Sequence, residues 1–489
     1  MLKNISEEKK IFIIFLFAHF LIWSLIGTIR LVLPTDTLEG IWWGSLFSFG
    51  NPKHPPLAGW ISYFVYNTFK SDMSLYFVSQ AFIVGGLIYT YKLAKFFLEP
   101  KQAMLSVVIL EGCWIYSYIT GYYGFNPDVV LLFTLPMVTY YFYRCMSYSK
   151  CYDWIMLGIS VGISFMGKYQ TVFLLLGMFI WAAIFNRKVF RNKLFYTSVI
   201  IAFVIFLPHL IWLIENNFMP LSYYEAKLET FGWFGHILEP ISFILMQISL
   251  IAGVAFIFAL NKFIDKSKFY LTKNIDKRGW FLLILTLTPL IAQVIMAVIS
   301  GGNVRPQWGF VYWYMAGIIL FYFLPWQISD KEFSNTVKTS YIVMLIIFLA
   351  FGTMLTVEKS YRSRYPVATV WNDFQQMWQK EFNAPIKYVS GLIDFSYPIT
   401  IYGNPKSINL MDIPVEKNIW IDLKDVEKHG VLILIKHEDE IEGFTKKACP
   451  NLAPNTKIIP KEYKFTLTNA LGQGREYHMY YFFIPPKKI

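Results

Sequence analysis

The chain reads as an α-helical polytopic membrane protein, with about eleven transmembrane helices followed by a small C-terminal α/β soluble domain. Three observations predict this class. Hydrophobic residues make up 55% of the 489 and charged residues only 16%, too apolar a balance for a surface that faces water. Apolar runs of spanning length recur from Ile11 to Val357. Charged residues become frequent beyond that point, as they do where a chain leaves lipid.

A bilayer core takes roughly 20 helical residues to cross. The runs expected to do so are Ile11–Leu33, Leu75–Leu98, Ala103–Gly121, Val129–Tyr143, Trp154–Met166, Thr171–Phe185, Leu194–Ile214, Ile237–Leu260, Trp280–Ile299, Trp308–Leu324 and Tyr341–Val357. The fourth to sixth are short. The first is too long for a signal peptide and lacks a small-residue cleavage site, so it is expected to be a retained helix. With the N-terminus cytoplasmic, inside loops hold roughly twenty Lys and Arg, including Arg187, Lys188, Arg191, Lys193 and the run from Lys262 to Arg278, against about six outside. An odd number of crossings then puts everything after Val357 outside, in the periplasm if the membrane is a bacterial inner membrane.

The expected division is therefore a membrane domain over 1–357 and a soluble domain over 358–489. In the latter, Val367–Phe382 has helical spacing, and Ile399–Tyr402, Ile419–Ile421, Val431–Ile435 and Met479–Phe483 look like strands. Cys113, Cys145 and Cys151 fall in or beside spans and Cys449 stands apart, so no disulfide framework or CxxC metal motif is expected. The net charge of +12 resides mostly in short loops between spans, which points to the bilayer and away from nucleic acid. There is no Walker loop or dinucleotide fingerprint, which argues against a pump driven by ATP.

The informative residues lie in the outside loops. The first carries Asp36 and Glu39, then Trp42-Trp43-Gly44, then Lys53-His54-Pro55-Pro56-Leu57 ahead of an aromatic amphipathic stretch to about Phe69, which would lie along the membrane surface. The second reads Gly124-Phe125-Asn126-Pro127-Asp128, the third centres on Gly167-Lys168-Tyr169, and the last holds Arg305-Pro306-Gln307-Trp308. Carboxylates and cations converge on one membrane face.

In these residues the chain resembles the polyprenyl-phosphate-dependent glycosyltransferases of the GT-C fold, which include protein mannosyltransferases and the enzymes that add aminoarabinose or galacturonic acid to lipid A. Asp36, Lys53 to Pro56 and Asp128 match that family's early acid, Lys/His-Pro-Pro motif and second acid in order and spacing. Gly167-Lys168-Tyr169 and Pro208-His209-Leu210-Ile211-Trp212 fit its bacterial branch, and the resemblance spans approximately residues 10 to 325. The family's Asp-Glu pair is absent, because Asp36 is followed by Thr37 and the nearest Glu is Glu39. Which carboxylate does the chemistry therefore stays open. The resemblance implies inverting transfer of a sugar from a polyprenyl-phosphate donor to a lipid or glycolipid acceptor, lipid A first, or to a protein hydroxyl.

The physics of such a reaction asks for the same parts. A lipid phosphate at the interface needs cations at helix ends, and Lys53, Lys168 and Arg305 are placed there, with His54 and Tyr169 beside them. A carboxylate opposite the phosphate would orient or deprotonate an acceptor hydroxyl, and Asp36 is the first candidate, with Asp128 as its neighbour and Glu39 as the alternative. An acceptor phosphate would need no base. Each assignment has a plainer rival: Asp36 and Asp128 as helix caps, the cations as headgroup anchors, His19 and His209 as satisfied core residues. His54 has three open roles, namely pairing with a carboxylate, contacting phosphate or binding a divalent metal, although no second His lies at ligand spacing. No tightly bound cofactor is expected. Glu111, mid-span, is either a proton relay or a protonated structural residue. A secondary transporter would concentrate paired charges near the midplane, and a non-catalytic lipid-binding protein would need no converging carboxylates.

Overall fold

The computed structural model describes residues 6–222, 232–265, 275–325, 327–411, 418–450 and 458–487. From the N-terminus the helices are α1 (Glu7–Leu25), α2 (Thr35–Ser45), α3 (Leu57–Phe69), α4 (Asp72–Ala94), α5 (Pro100–Val108), α6 (Thr120–Tyr123), α7 (Pro127–Tyr148), α8 (Cys151–Gly167), α9 (Thr171–Phe185), α10 (Lys193–Glu215), α11 (Gly232–Asp265), α12 (Lys277–Ser300), α13 (Ala316–Phe323) and α14 (Asp330–Val357). Among the described residues, seven helical segments are long and apolar enough to cross a membrane: Glu7–Ile29, α4, α7, α10, Gly232–Leu260, α12 and α14. Pro100–Gly112 and Ile115–Tyr123 pass only as a pair bent by 86°, which raises the number to eight. α8, α9 and Trp313–Phe323 are apolar but shorter. The chain is thus a polytopic helical membrane protein. All eleven apolar runs fall on these segments, but only seven or eight have full crossing length. Seventeen residues of α8 rise roughly 25 Å, short of a 30 Å hydrocarbon core. Residues 266–274, within the basic run after α11, lie outside the described residues.

The bend after α5 has a local cause. Ile109–Gly112 tightens to a 3₁₀ turn and Ile115–Ile119 widens to a π turn, so the hydrogen-bond ladder changes register twice. Glu111, 2% exposed, sits in that break. Its carboxyl accepts from Trp23 Nε1 at 2.8 Å and lies 2.6 Å from His19 Nδ1. Both oxygens are satisfied, as a structural residue requires. Gly112 meets Gly253 of α11 backbone to backbone, and a Cβ on Gly112 would fall 2.3 Å from the Gly253 carbonyl carbon.

The chain divides into two compact units. The first comprises 1–25, 48–58 and 75–350; the second comprises 26–47, 59–74 and 351–489. Beyond α14 the second unit adds α15 (Val367–Phe382), β1 (Tyr388–Gly391), α16 (Ile393–Tyr402), β2 (Ile408–Asn409), α17 (Leu423–His429), β3 (Val431–Ile435), α18 (Ile441–Ala448), β4 (Lys461–Thr468) and β5 (Gly474–Ile484). The sheet order is β2-β1-β3-β5-β4, with β2, β1 and β3 parallel and β3, β5 and β4 antiparallel. All five β3 residues are buried. Leu432 and Leu434 join Trp371, Phe374 and Trp378 of α15 on one face, whereas Val431, Ile433 and Ile435 meet Val426 and Ile441 on the other. The result is a three-layer α/β/α domain.

The α15 helix and the strands at Val431–Ile435 and Met479–Phe483 are as expected. Ile399–Tyr402 is not a strand: it closes α16, whose buried side chains override β-branched propensity. Ile419–Ile421 is a turn shaped by Asn418, whose Oδ1 accepts from Trp420 N at 3.3 Å.

Candidate active site

Within the first unit, the Lys-His-Pro-Pro motif is a turn built by the residue two positions ahead of it. Asn51 is 4% exposed, and its Oδ1 accepts from Lys53 N at 3.0 Å and His54 N at 2.8 Å. The side chain thus supplies the acceptor for two successive backbone N–H groups of the turn, as Asn side chains do in loops. The segment before it is seated on α10. His209 Nδ1 lies 2.6 Å from the Phe49 carbonyl, and its Nε2 lies 2.7 Å from the Tyr169 hydroxyl. Gly50 lies against the Trp212 ring so closely that a Cβ there would fall 2.1 Å from it. Pro208 to Trp212 is therefore the seat of the motif loop, and His209 is a satisfied buried histidine that also ties Tyr169 to that loop.

Two further loops of this unit, at Asn126–Asp128 and Arg305–Trp308, are tied to the segment Lys168–Gln170. Lys168 Nζ donates to Asp128 Oδ1 at 2.6 Å, with the lysine side chain 5% and the aspartate 18% exposed. Asp128 is not the cap of α7. Asn126 holds that position, accepting from Asp128 N at 2.9 Å and Val129 N at 3.2 Å, which leaves the Asp128 carboxylate for Lys168. Gln170 follows Tyr169 and donates to the Trp308 carbonyl at 3.4 Å, while its own carbonyl accepts from the Tyr312 hydroxyl at 2.6 Å. Gln293 Nε2 reaches the same Trp308 carbonyl at 3.1 Å. These bonds dock the last loop on the third. Arg305, exposed, lies one turn from Trp308, whose N–H donates to the Arg305 carbonyl at 3.0 Å.

His54 shares this neighbourhood. Burial holds its imidazole well below the usual histidine range, and the positive charges of Lys168 and Lys53 push in the same direction. It is neutral at pH 7. Its Nδ1 is buried with no hydrogen-bond partner among the described residues. Among those residues no group of three His, Cys, Asp or Glu lies close enough to hold a metal ion. Among the described residues, the first unit presents Lys53 and Lys168 beside one neutral imidazole, with the Asp128 carboxylate paired to Lys168.

The other two candidate carboxylates belong to the second unit. Both lie on α2, Asp36 exposed in its first turn and Glu39 4% exposed one turn later. Pro34 holds the cap position and no side-chain cap bond is made, so Asp36 is not a helix cap. α2 packs on α3 through glycines: a Cβ on Gly44 would fall 2.0 Å from the Gly59 carbonyl oxygen. Its N-terminal end is tied to the sheet domain. Thr35 Oγ1 donates to Asp394 Oδ1 at 2.5 Å, and Arg362 Nε donates to Asp394 Oδ2 at 3.1 Å. The Leu33 N–H donates to the Tyr402 hydroxyl at 3.0 Å, which in turn donates to Asp72 Oδ2 at 2.8 Å. Asp394 and Tyr402 thus fix the helix that carries Asp36. Sequence reasoning missed Asn51, Gln170, Asp394 and Tyr402. The first two flank motifs legible in the sequence, but the last two lie more than three hundred residues away from Thr35 and Leu33, which they hold.

The sequence profile of the dolichyl-phosphate-mannose-protein mannosyltransferase family matches residues 53–212, which take in Lys53, His54, Asp128, Lys168, Tyr169 and His209. No curated protein matches the chain by sequence. Among solved structures, apo ArnT from Cupriavidus metallidurans superposes with a TM-score of 0.64 at 10% identity, covering 97% of this chain and 98% of that one. The archaeal oligosaccharyltransferase AglB from Archaeoglobus fulgidus, in complex with an inhibitory peptide and a dolichol-phosphate, gives 0.44 at 10% identity, covering 96% and 74%. Down nearly its whole length, then, the chain has the fold of apo ArnT, and over residues 53–212 it carries the sequence pattern of the dolichyl-phosphate-mannose-protein mannosyltransferase family.

Proposed function

We propose that the chain is an inverting glycosyltransferase that moves a sugar from a polyprenyl-phosphate donor to an acceptor of the bacterial envelope, most simply lipid A or another lipopolysaccharide component. The observation that carries this reading is the cluster of Lys53, neutral His54 and Lys168 in the segment that matches the mannosyltransferase profile. Polytopic helices give an acyl carrier access from lipid, and interfacial cations suit the phosphate that leaves. The acceptor oxygen attacks the anomeric carbon as the carbon–oxygen bond to phosphate breaks, and the electron pair departs on the polyprenyl phosphate. Lys53, Lys168 and Arg305 stabilise that charge, and His54 donates an N–H to the same phosphate. Asp36 receives the proton of an acceptor hydroxyl, or orients an acceptor phosphate that has none to give. Glu39 is the substitute if Asp36 is not the base. A divalent ion at His54 is testable by chelation.

The mannosyltransferase profile favours one second reading, a protein hydroxyl as acceptor. Transport remains the rival of another class. Vesicles containing the purified chain should consume a polyprenyl-phosphate sugar and release polyprenyl phosphate; an intact glycosidic bond after passage across the membrane would favour transport instead. Mass spectrometry of lipid A from a strain lacking the chain then separates the acceptors. A missing sugar on lipid A supports the first reading, and unchanged lipid A with deglycosylated envelope proteins supports the second. The same reading places the N-terminus in the cytoplasm and residues 358–489 in the periplasm.

A further inference from the structure

An apolar cavity lies towards the far end of α8 from Lys168. Trp154 and Val161 of α8, Phe179 of α9, Val189 and Phe190 of the turn between α9 and α10, and Val199 of α10 line its volume of about 170 Å³. Its polar side chains are already engaged: Ser198 Oγ donates to the Phe195 carbonyl at 2.7 Å, and Trp154 Nε1 donates to Ser149 Oγ at 3.2 Å. Water would find no partner there, and cavities of this kind stay dry. The rim includes Phe179, 58% exposed, and Val199, 49% exposed, on apolar membrane helices, so the cavity opens towards acyl chains.

The turn that closes it is a 3₁₀ segment, Arg187–Arg191. Val189 is buried, and the Phe190 ring is held between Phe179 at 5.5 Å and Phe195 at 5.6 Å. Arg187, Lys188 and Arg191 flank them and are exposed, and residues 186–193 hold four cations and no acid. A single turn therefore gives its apolar side chains to the cavity and sets cations beside the opening.

We propose that this is a binding site for an anionic phospholipid of the surrounding membrane, with one acyl chain in the cavity and the phosphate against Arg187, Lys188 and Arg191. Charge complementarity selects the headgroup. Position distinguishes this lipid from a polyprenyl-phosphate donor: α8 runs from Cys151 at the cavity end to Gly167 beside Lys168, about 25 Å of rise, so a phosphate at one end is out of reach of the other. The site stands whether or not the chain is a transferase.

Native mass spectrometry of the full chain, released from nanodiscs of phosphatidylcholine mixed with phosphatidylglycerol, reads the retained lipid directly. Each interfacial cation contributes about fivefold in affinity for an anionic lipid, so the wild-type chain should retain phosphatidylglycerol over phosphatidylcholine by about tenfold or more. The R187A/K188A/R191A variant, altered only on an exposed turn, should lose that preference. Ala202→Phe, which fills the cavity, should lose both lipids with the cations intact. Undiminished preference in the triple variant, or undiminished retention in Ala202→Phe, overturns the proposal. Should the filled variant fail to insert, the triple variant still decides. Displacement of phosphatidylglycerol by a polyprenyl phosphate would also overturn it and reassign the site to the donor.

Discussion

A lysine and an aspartate 2.6 Å apart, with little exposure on either, depend on one another. Lys168→Met leaves the Asp128 carboxylate uncompensated and should lower thermal stability in detergent by about 3 kcal/mol, whereas K168M/D128L should regain most of that stability without regaining transfer. Lys53→Ala and Arg305→Ala are loop changes and should raise the donor KM with little effect on folding; an unchanged KM in both would count against phosphate binding there. For His54 the sign follows from its depressed basicity. The free protein holds the ring neutral below the usual 6.5, and a bound phosphate favours the protonated ring. Donor binding should therefore take up a proton and tighten as pH falls, a trend that His54→Gln should abolish. Asp36→Asn keeps shape and removes charge, and should cost on the order of a hundredfold or more in turnover with normal insertion. Near-normal transfer by Asp36→Asn, with loss in Glu39→Gln, would move the role to Glu39. These residues were legible because the motif is contiguous and chemically unusual. Asn51 was not, because it acts on the backbone of its neighbours and Asn before Pro is common in loops.

At the scale of elements, α2 is held by bonds that its own sequence does not announce. Asp394→Ala removes the acceptor of both Thr35 and Arg362 and should destabilise the second unit by about 2 kcal/mol. The same change should lower kcat while the donor KM stays put, because Lys53 and His54 belong to the other unit. An equal rise in KM would show that Asp394 acts more widely than through α2. Here the sequence reading was least secure. Ile399–Tyr402 has strand composition and lies in a helix, and the short β1 and β2 were not anticipated at all. Such segments are decided by what they pack against. β3 was legible because Val431 to Ile435 is an uninterrupted apolar run, which in a soluble setting reads as a strand covered on both faces.

For the whole molecule, the apolar runs found their helices, since spanning length and composition are imposed by lipid and not by neighbours. The bend after α5 was hidden, because Ile109–Ile119 has no proline and its cause is a change in hydrogen-bond register around a buried Glu111. Topology remains a direct test. Accessible cysteines introduced at Lys268 and Lys406 should label from opposite sides of the membrane, as the basic loops require; labelling from the same side would refute the eleven-span arrangement.

The tie between Thr35 and Asp394 spans 359 residues, and that between Leu33 and Tyr402 spans 369. A ribosome adding roughly 5–20 residues per second makes the first of these partners from about twenty seconds to more than a minute before the second. During that interval the surface that will receive the early loop does not yet exist. Assembly of the second unit is therefore completed only after the last membrane helix has been made, and a stop codon between Val357 and Asp394 would yield a chain that keeps its apolar helices while α2 is left without its anchor.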